Sequence, residues 1–332
     1  MTVLLAVLLA ASPQSWVASE LVESLEHREK VSALLAELAT SQLAAGKALE
    51  AQVAAETCLS IDRYRCSCIR DAGLAGLAMK SADEETAKAV RDHAWGYLME
   101  YLQCDETAPD GPRISKQAQQ LSRGRKWPGA LAPLGPRGLD GLSPAQLLAE
   151  GNSRFDGLVP LEAKRRFEAC ALREPVLCDC VRRVGDVWLK LSDRQRAMVW
   201  WSRYLDCASD AKDKDLVQRD IAAAQTALRE LPAWDLVSSQ PRTPIPVAPK
   251  VAASLLAKAR SAVAEKRLTD AVPAFTACRL VDLRQLDCSL ELAKVLDTLG
   301  RADEALQLYH QVAEALPRSD PRRAQLPKRT PR

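Results

Sequence analysis

The ten cysteines of this chain are spaced by one internal ruler, and that ruler limits what the chain can fold into. Cys58 to Cys68, Cys170 to Cys180 and Cys278 to Cys288 are each ten residues apart. Cys66 and Cys178 each stand two residues before the second member of their pair, and Cys104 and Cys207 complete the first two sets. In the third set the positions matching Cys178 and Cys207 are Leu286 and Ala315, so both partners are missing together. Joint loss is what a bonded pair would show. It assigns Cys58–Cys68, Cys66–Cys104, Cys170–Cys180, Cys178–Cys207 and Cys278–Cys288 as disulfides. A bridge closing so short a loop contributes roughly 2.5–3 kcal/mol in the chain-entropy treatment. Two other readings stay open at this point. Cys66-Ser67-Cys68 and Cys178-Asp179-Cys180 could hold Cu(I) or Zn as thiolates, which would leave the third pair stranded, or the cysteines could be buried thiols.

An even set of ten cysteines fits an oxidising compartment, because cytosolic glutathione would keep them reduced. The N-terminus points the same way. Val3–Ala11 is a nine-residue apolar run that resembles the core of a secretory signal peptide, followed by small residues at Ala18-Ser19 where cleavage could occur. Only Met1 and Thr2 precede the run, so the usual basic segment is missing, and the competing reading is the apolar face of a first helix. The expectation is a signal peptide over 1–19 and a secreted or periplasmic protein. No apolar run reaches the length of about 18 residues that spans a bilayer, and no cysteine follows the leader to carry a lipid anchor.

The cysteine ruler belongs to a longer repeat. Cys58 to Cys170 is 112 residues and Cys170 to Cys278 is 108. Ala51, Ala163 and Ala271 each stand seven residues before the first cysteine of their set; Ala163 to Ala197 and Ala271 to Ala305 are both 34 residues. Thirty-four is the length of a helix–turn–helix repeat. The segment Leu299-Gly300-Arg301-Ala302-Asp303-Glu304-Ala305, with Tyr309 and Pro317 after it, resembles the tetratricopeptide repeat family at the turn between its two helices. Gly185 with Trp188, Gly151 with Phe167 and Pro175, and Phe275 match other family positions. The resemblance covers most of 140–210 and 250–317 and is weaker over 20–105. Cys58, Cys170 and Cys278 stand where the family expects a small packing residue, and Tyr204 is bulky at another such place. The resemblance implies an all-α solenoid of helical hairpins and, as its function, recognition of a protein or peptide partner.

Residue chemistry supports helices independently of the resemblance. Ala302, Ala305, Leu306, Tyr309 and Val312 recur at three- and four-residue steps, with Asp303 and Glu304 in the first turn where the helix dipole favours negative charge. Ser192-Asp193 opens a helix ending at Cys207, with either residue able to cap it. The expected organisation is repeat one over 20–105, a Pro/Gly-rich basic linker over 106–143, repeat two with an extra helix over 144–231, a Pro-rich linker over 232–249, repeat three over 250–317, and a basic disordered tail over 318–332. Residues 111–139 carry six basic residues and no acid, and 316–332 carry six basic residues and one acid, while the whole chain is only +3. These arms suggest contact with a polyanion or an acidic membrane surface, and equally suit solvated linkers.

Chemistry-bearing motifs are scarce. The chain has three histidines, no Gly-rich phosphate loop, no His-Glu-x-x-His and no Gly-x-Ser-x-Gly. No catalytic, cofactor or metal residue is assigned, and no specific nucleic-acid binding is expected. Adjacent helical residues point about 100° apart, so Trp200 and Trp201 cannot both face one core. Trp200, Trp201 and Tyr97 are the candidate partner contacts. The resulting expectation is an exported, non-enzymatic scaffold or adaptor. The alternatives are a thiol or metal protein using its CxC pairs, and a polyanion-binding envelope protein using its basic arms.

Overall fold

The computed structural model describes residues 17, 19–80, 83–105, 107–122, 138–208, 210–229 and 247–327. Fourteen α-helices and one 3-10 helix lie among the described residues, with no strand. They are α1 (Ser19–Ala44), α2 (Ala48–Ile61), α3 (Cys66–Ala78), α4 (Glu84–Cys104), α5 (Gly111–Leu121), α6 (Pro144–Asp156), α7 (Pro160–Arg173), α8 (Cys178–Lys190), α9 (Arg194–Cys207), α10 (Lys214–Arg229), α11 (Ala248–Ala264), α12 (Leu268–Val281), α13 (Leu286–Thr298), α14 (Ala302–Ala315) and a 3-10 turn over Pro321–Gln325. The candidate leader over 1–19 lies outside the described residues, apart from Val17 and the Ser19 that opens α1.

The cysteine ruler is a ruler of helices. Helices α2, α7 and α12 start at 48, 160 and 268, and α3, α8 and α13 start at 66, 178 and 286, each with the 112- and 108-residue offsets of the cysteines. Each repeat is therefore two tandem hairpins of tetratricopeptide type, and the fold is all-α. The backbone carries the same signature. Residues 46, 158, 192, 266 and 300, in the turns between the two helices of five hairpins, all have positive φ. Glycine takes that left-handed conformation freely at Gly46 and Gly300, whereas Leu158, Ser192 and Lys266 adopt it against their side chains. Packing follows the repeat too. Phe167 closes over Gly151 and Trp201 over Gly185, so tightly that a Cβ at either glycine would fall 2.4 Å from the ring.

Caps explain several boundaries. Ser143 and Gln146 form a reciprocal capping box ahead of α6, with Pro144 in the first turn. Asp193, not Ser192, caps α9, accepting from the Arg196 backbone N–H at 3.1 Å. Asp110 and Pro112 begin α5 inside the stretch read from sequence as a linker. Proline in a first turn has no helical hydrogen bond to lose, so it starts a helix there rather than breaking one. The tail expected to be disordered contains the 3-10 turn Pro321–Gln325, opened by Asp320.

The described residues gather into two compact units: those within 1–26 and 98–235, and those within 27–97 and 236–332. Within the second unit, α2 of the first repeat packs on α11 and α12 of the third, and Lys258 pairs with Glu37 at 3.4 Å. The cause lies in the helices themselves. Along α2, Ala51 to Ala55, Cys58, Leu59 and Ile61 are buried, and along α12 Ala271 to Cys278 are buried without interruption. A helix buried all round needs neighbours beyond its own hairpin partner.

Candidate partner-binding surface

The disulfides tie the start of one helix to the end of another. Cys58–Cys68, Cys170–Cys180 and Cys278–Cys288 join the last turn of a hairpin's second helix to the first turn of the next hairpin, with Cα separations of 6.2, 5.9 and 5.9 Å. All six of these cysteines are fully buried. Each first cysteine rests its Sγ on a backbone carbonyl 26 residues upstream, Ser32, Pro144 or Ala252, at 3.4, 3.3 and 3.1 Å. Cys178–Cys207 joins the start of α8 to the end of α9, with a Cα separation of 5.6 Å. Cys66 and Cys104 are likewise disulfide-bonded, and no cysteine is free. The sulfurs of the two CxC pairs thus lie at bridging distance from partners outside their own pair.

A polar latch accompanies the second bridge. In the second repeat the Tyr204 hydroxyl donates to Asp213 at 2.5 Å. Asp213 is also paired with Arg182, whose guanidinium lies 5.4 Å from the centre of the Tyr204 ring. Arg182 reaches Asp186 at 3.5 Å, and Asp186 accepts from the Trp201 indole N–H at 3.0 Å. In the first repeat Tyr101 donates to Asp110 at 2.5 Å in the same register. Each tyrosine stands three residues before the second-bridge cysteine and each aspartate six after it. These carboxylates lead into α5 and α10, so the latch pins the helix that follows each pair of hairpins. The Tyr–Asp spacing of nine is present in the sequence, but in the first repeat it crosses from the helical segment 20–105 into the stretch 106–143 read as linker.

The three aromatic candidates have different environments. Trp201 is buried, wedged on Gly185 and hydrogen-bonded to Asp186; it is a packing residue and not an exposed contact. Trp200, one residue earlier, is half-exposed, and the Arg203 guanidinium stacks 4.6 Å from its ring centre. Both Nη atoms of Arg203 are shielded from water and have no hydrogen-bond acceptor, and burial draws its pKa down to about 10. Tyr97 is half-buried beside His93, ring centres 4.8 Å apart, and belongs to the other compact unit. The sequence did not single out Arg203, since one arginine among 46 basic residues carries no signal of its own.

Trp188 is the most heavily used aromatic side chain. It is 4% exposed and lies between Lys164 Nζ, 4.8 Å from its ring centre, and the Arg196 guanidinium at 4.5 Å. Arg196 is held by Asp193 at 3.1 Å, and Glu162 on the same side of the repeat pairs with Arg154 at 3.2 Å. Gln195 donates to the backbone carbonyl of Leu21 at 3.3 Å, tying the first turn of α1 to the start of α9.

The basic arms are only partly described. Arg113 and Lys116 lie on α5, while Arg123, Arg125, Lys126, Arg137 and the residues after 327 lie outside the described residues. Arg322 and Arg323 of the tail are engaged within the chain. Arg322 pairs with Asp287 at 2.9 Å and with Asp320 at 2.8 Å. Arg323 donates to the carbonyls of Ala313, Leu316 and Pro317. No helix among the described residues is long and apolar enough to cross a membrane.

No family model matches the chain, and no curated protein matches it. A search of solved structures finds the crystal structure of the tetratricopeptide domain of P58(IPK), with 12% identity over 89% of this chain and 96% of that one, at a TM-score of 0.26.

Proposed function

We propose that the protein is an exported, non-enzymatic scaffold that binds a protein or peptide partner through the outer face of α9. The observation that carries this reading is the Trp200–Arg203 pair. An aromatic ring left half-exposed and stacked under a guanidinium with two unused Nη donors is a common composition for an interface anchor. The Nη atoms are shielded from water as they stand, so a partner meets them by drawing the Arg203 side chain out from over Trp200, and the acceptor that fits a guanidinium fork is a carboxylate. The partner thus presents an acidic side chain next to an apolar one. Tandem helical hairpins supply a rigid backing for such a face. Export rests on the disulfides and on the apolar run Val3–Ala11.

The test is crosslinking in the producing cell. A photo-activatable side chain at position 206, one turn from Arg203, should give one discrete protein adduct in the extracytoplasmic fraction. Arg203→Met should remove that adduct while leaving the thermal transition in place. An adduct that survives Arg203→Met, or the absence of any adduct, contradicts the reading.

A further inference from the structure

The five bridges are not equally accessible. Cys58, Cys68, Cys104, Cys170, Cys180, Cys278 and Cys288 are fully buried, so every bridge but one has at least one sulfur sealed in the core. Cys178 and Cys207 are both half-exposed. Exposed apolar residues stand in the end of α7 and the turn that leads to Cys178. Cys207 Sγ sits 3.5 Å from the Pro175 carbonyl and Cys178 Sγ 3.4 Å from the Val176 carbonyl. Val176 is 77% exposed and Leu172, in the last turn of α7, is 52% exposed. Large exposed apolar side chains beside an open disulfide have no packing role in this repeat.

We propose that Cys178–Cys207 is an exchangeable disulfide, reduced by a protein dithiol that docks on the collar formed by Val176 and Leu172. The partner thiolate attacks Cys207 Sγ. The Cys178–Cys207 bond breaks, a mixed disulfide forms on Cys207, and Cys178 leaves as a thiolate. Cys178 is the first residue of α8, where the positive end of the helix dipole stabilises a leaving anion. The partner's second thiolate then attacks the partner sulfur of the mixed disulfide and releases Cys207. Two electrons pass from the dithiol to the bridge, the partner becomes the disulfide, and Cys178 and Cys207 take up protons from solvent. The same direction of attack follows from leaving-group chemistry, since the better-stabilised thiolate departs faster.

The structural consequence is local. The bridge holds the end of α9 against the start of α8, and Tyr204 in that last turn holds Asp213 at the start of α10. Opening the bridge frees α9's last turn and, through the latch, α10. The inner bridge Cys170–Cys180 keeps the hairpins together meanwhile.

Two arms of one experiment test this. The oxidised protein is exposed to graded dithiothreitol, and separately to a thioredoxin with its own reductase, then alkylated and mapped by mass spectrometry. Cys178 and Cys207 should be labelled together at a dithiol level at least about tenfold below that which opens Cys170–Cys180. Hydrogen exchange should rise over 208–229 and stay unchanged over α6 and α7. Val176→Asp should slow reduction by thioredoxin several-fold and leave dithiothreitol reduction unaltered. Simultaneous opening of the buried bridges overturns the exchangeable bridge. A Val176→Asp effect equal for both reductants, or absent for thioredoxin, overturns the docking collar.

Discussion

The second and third repeats are built on the same helices and close them with different chemistry. Both have the buried bridge between hairpins, Cys170–Cys180 and Cys278–Cys288. In the second repeat a further disulfide ties the end of α9 to the start of α8, and the Tyr204–Asp213 latch leads into the sixteen-residue α10. In the third repeat Leu286 and Ala315 replace the cysteines, Val312 replaces the tyrosine, and Pro321 replaces the aspartate. There the five-residue 3-10 turn takes over. Arg322 binds Asp287 in the first turn of α13 while Arg323 satisfies carbonyls at the end of α14. Two guanidinium groups thus span the same two helix ends that a disulfide joins one repeat earlier. The repeat requires that closure, and the bond type is open. A covalent clasp answers to dithiols; an ionic one answers to salt and to side-chain replacement.

Removing the shared bridge should have the largest effect. Cys170→Ala/Cys180→Ala and Cys278→Ala/Cys288→Ala should each cost about 3 kcal/mol, within the usual range for a native disulfide, read as a shift in the urea midpoint. Equal losses support one architecture in both repeats; a loss in only one breaks the comparison. Acid should separate the units next. Burial, with Arg301 and Lys30 nearby, lowers the His27 pKa from 6.5 to about 4. The unfolded chain therefore binds a proton that the folded unit refuses. The stability from neutral His27 is complete above about pH 6.5 and is lost as pH falls toward 4, amounting to about 3 kcal/mol. Hydrogen exchange at pH 7 and pH 4.5 should show the loss in 27–97 and 247–327, and His27→Gln should flatten it.

The hairpins were legible in the sequence because a ten-residue cysteine interval and a 34-residue alanine interval coincide. Helix α5 was not, since Gly111-Pro112 reads as a breaker until Pro112 is seen in the first turn of a helix. The pairing of the first repeat with the third was also hidden. A linear spacing identifies equivalent helices and says nothing of which distant ones meet, although the stretch Ala271–Cys278 of α12, apolar but for Thr276, was a signal that it needed more than one neighbour. Of the aromatic candidates, the 100° rule required Trp200 and Trp201 to face apart. Only the close approach of Gly185 decides that Trp201 is the inner one.

Smaller effects sharpen the contrast. Gly185→Ala forces a methyl into the Trp201 ring and should cost about 2 kcal/mol by overpacking. The third repeat already carries Ala293 at that position and Tyr309 at the position of the tryptophan, so Ala293→Gly should not stabilise it. Arg323→Ala should cost about 1 kcal/mol by leaving helix-end carbonyls without their donor. It should speed hydrogen exchange over 312–327, while Arg322→Ala, which removes the ion pair with Asp287, should take away the salt sensitivity of that segment. Leu158→Gly should stabilise the protein by up to about 1 kcal/mol, because a 71% exposed leucine at φ 61° gives up strain and almost no packing.

The most direct test of a stapled-hairpin protein is a disulfide map of material purified without reductant and alkylated before digestion. The stapled fold predicts no alkylated cysteine, with peptides linked Cys58–Cys68, Cys66–Cys104, Cys170–Cys180, Cys178–Cys207 and Cys278–Cys288. Alkylated thiols, or linkage within a single CxC pair, would contradict it.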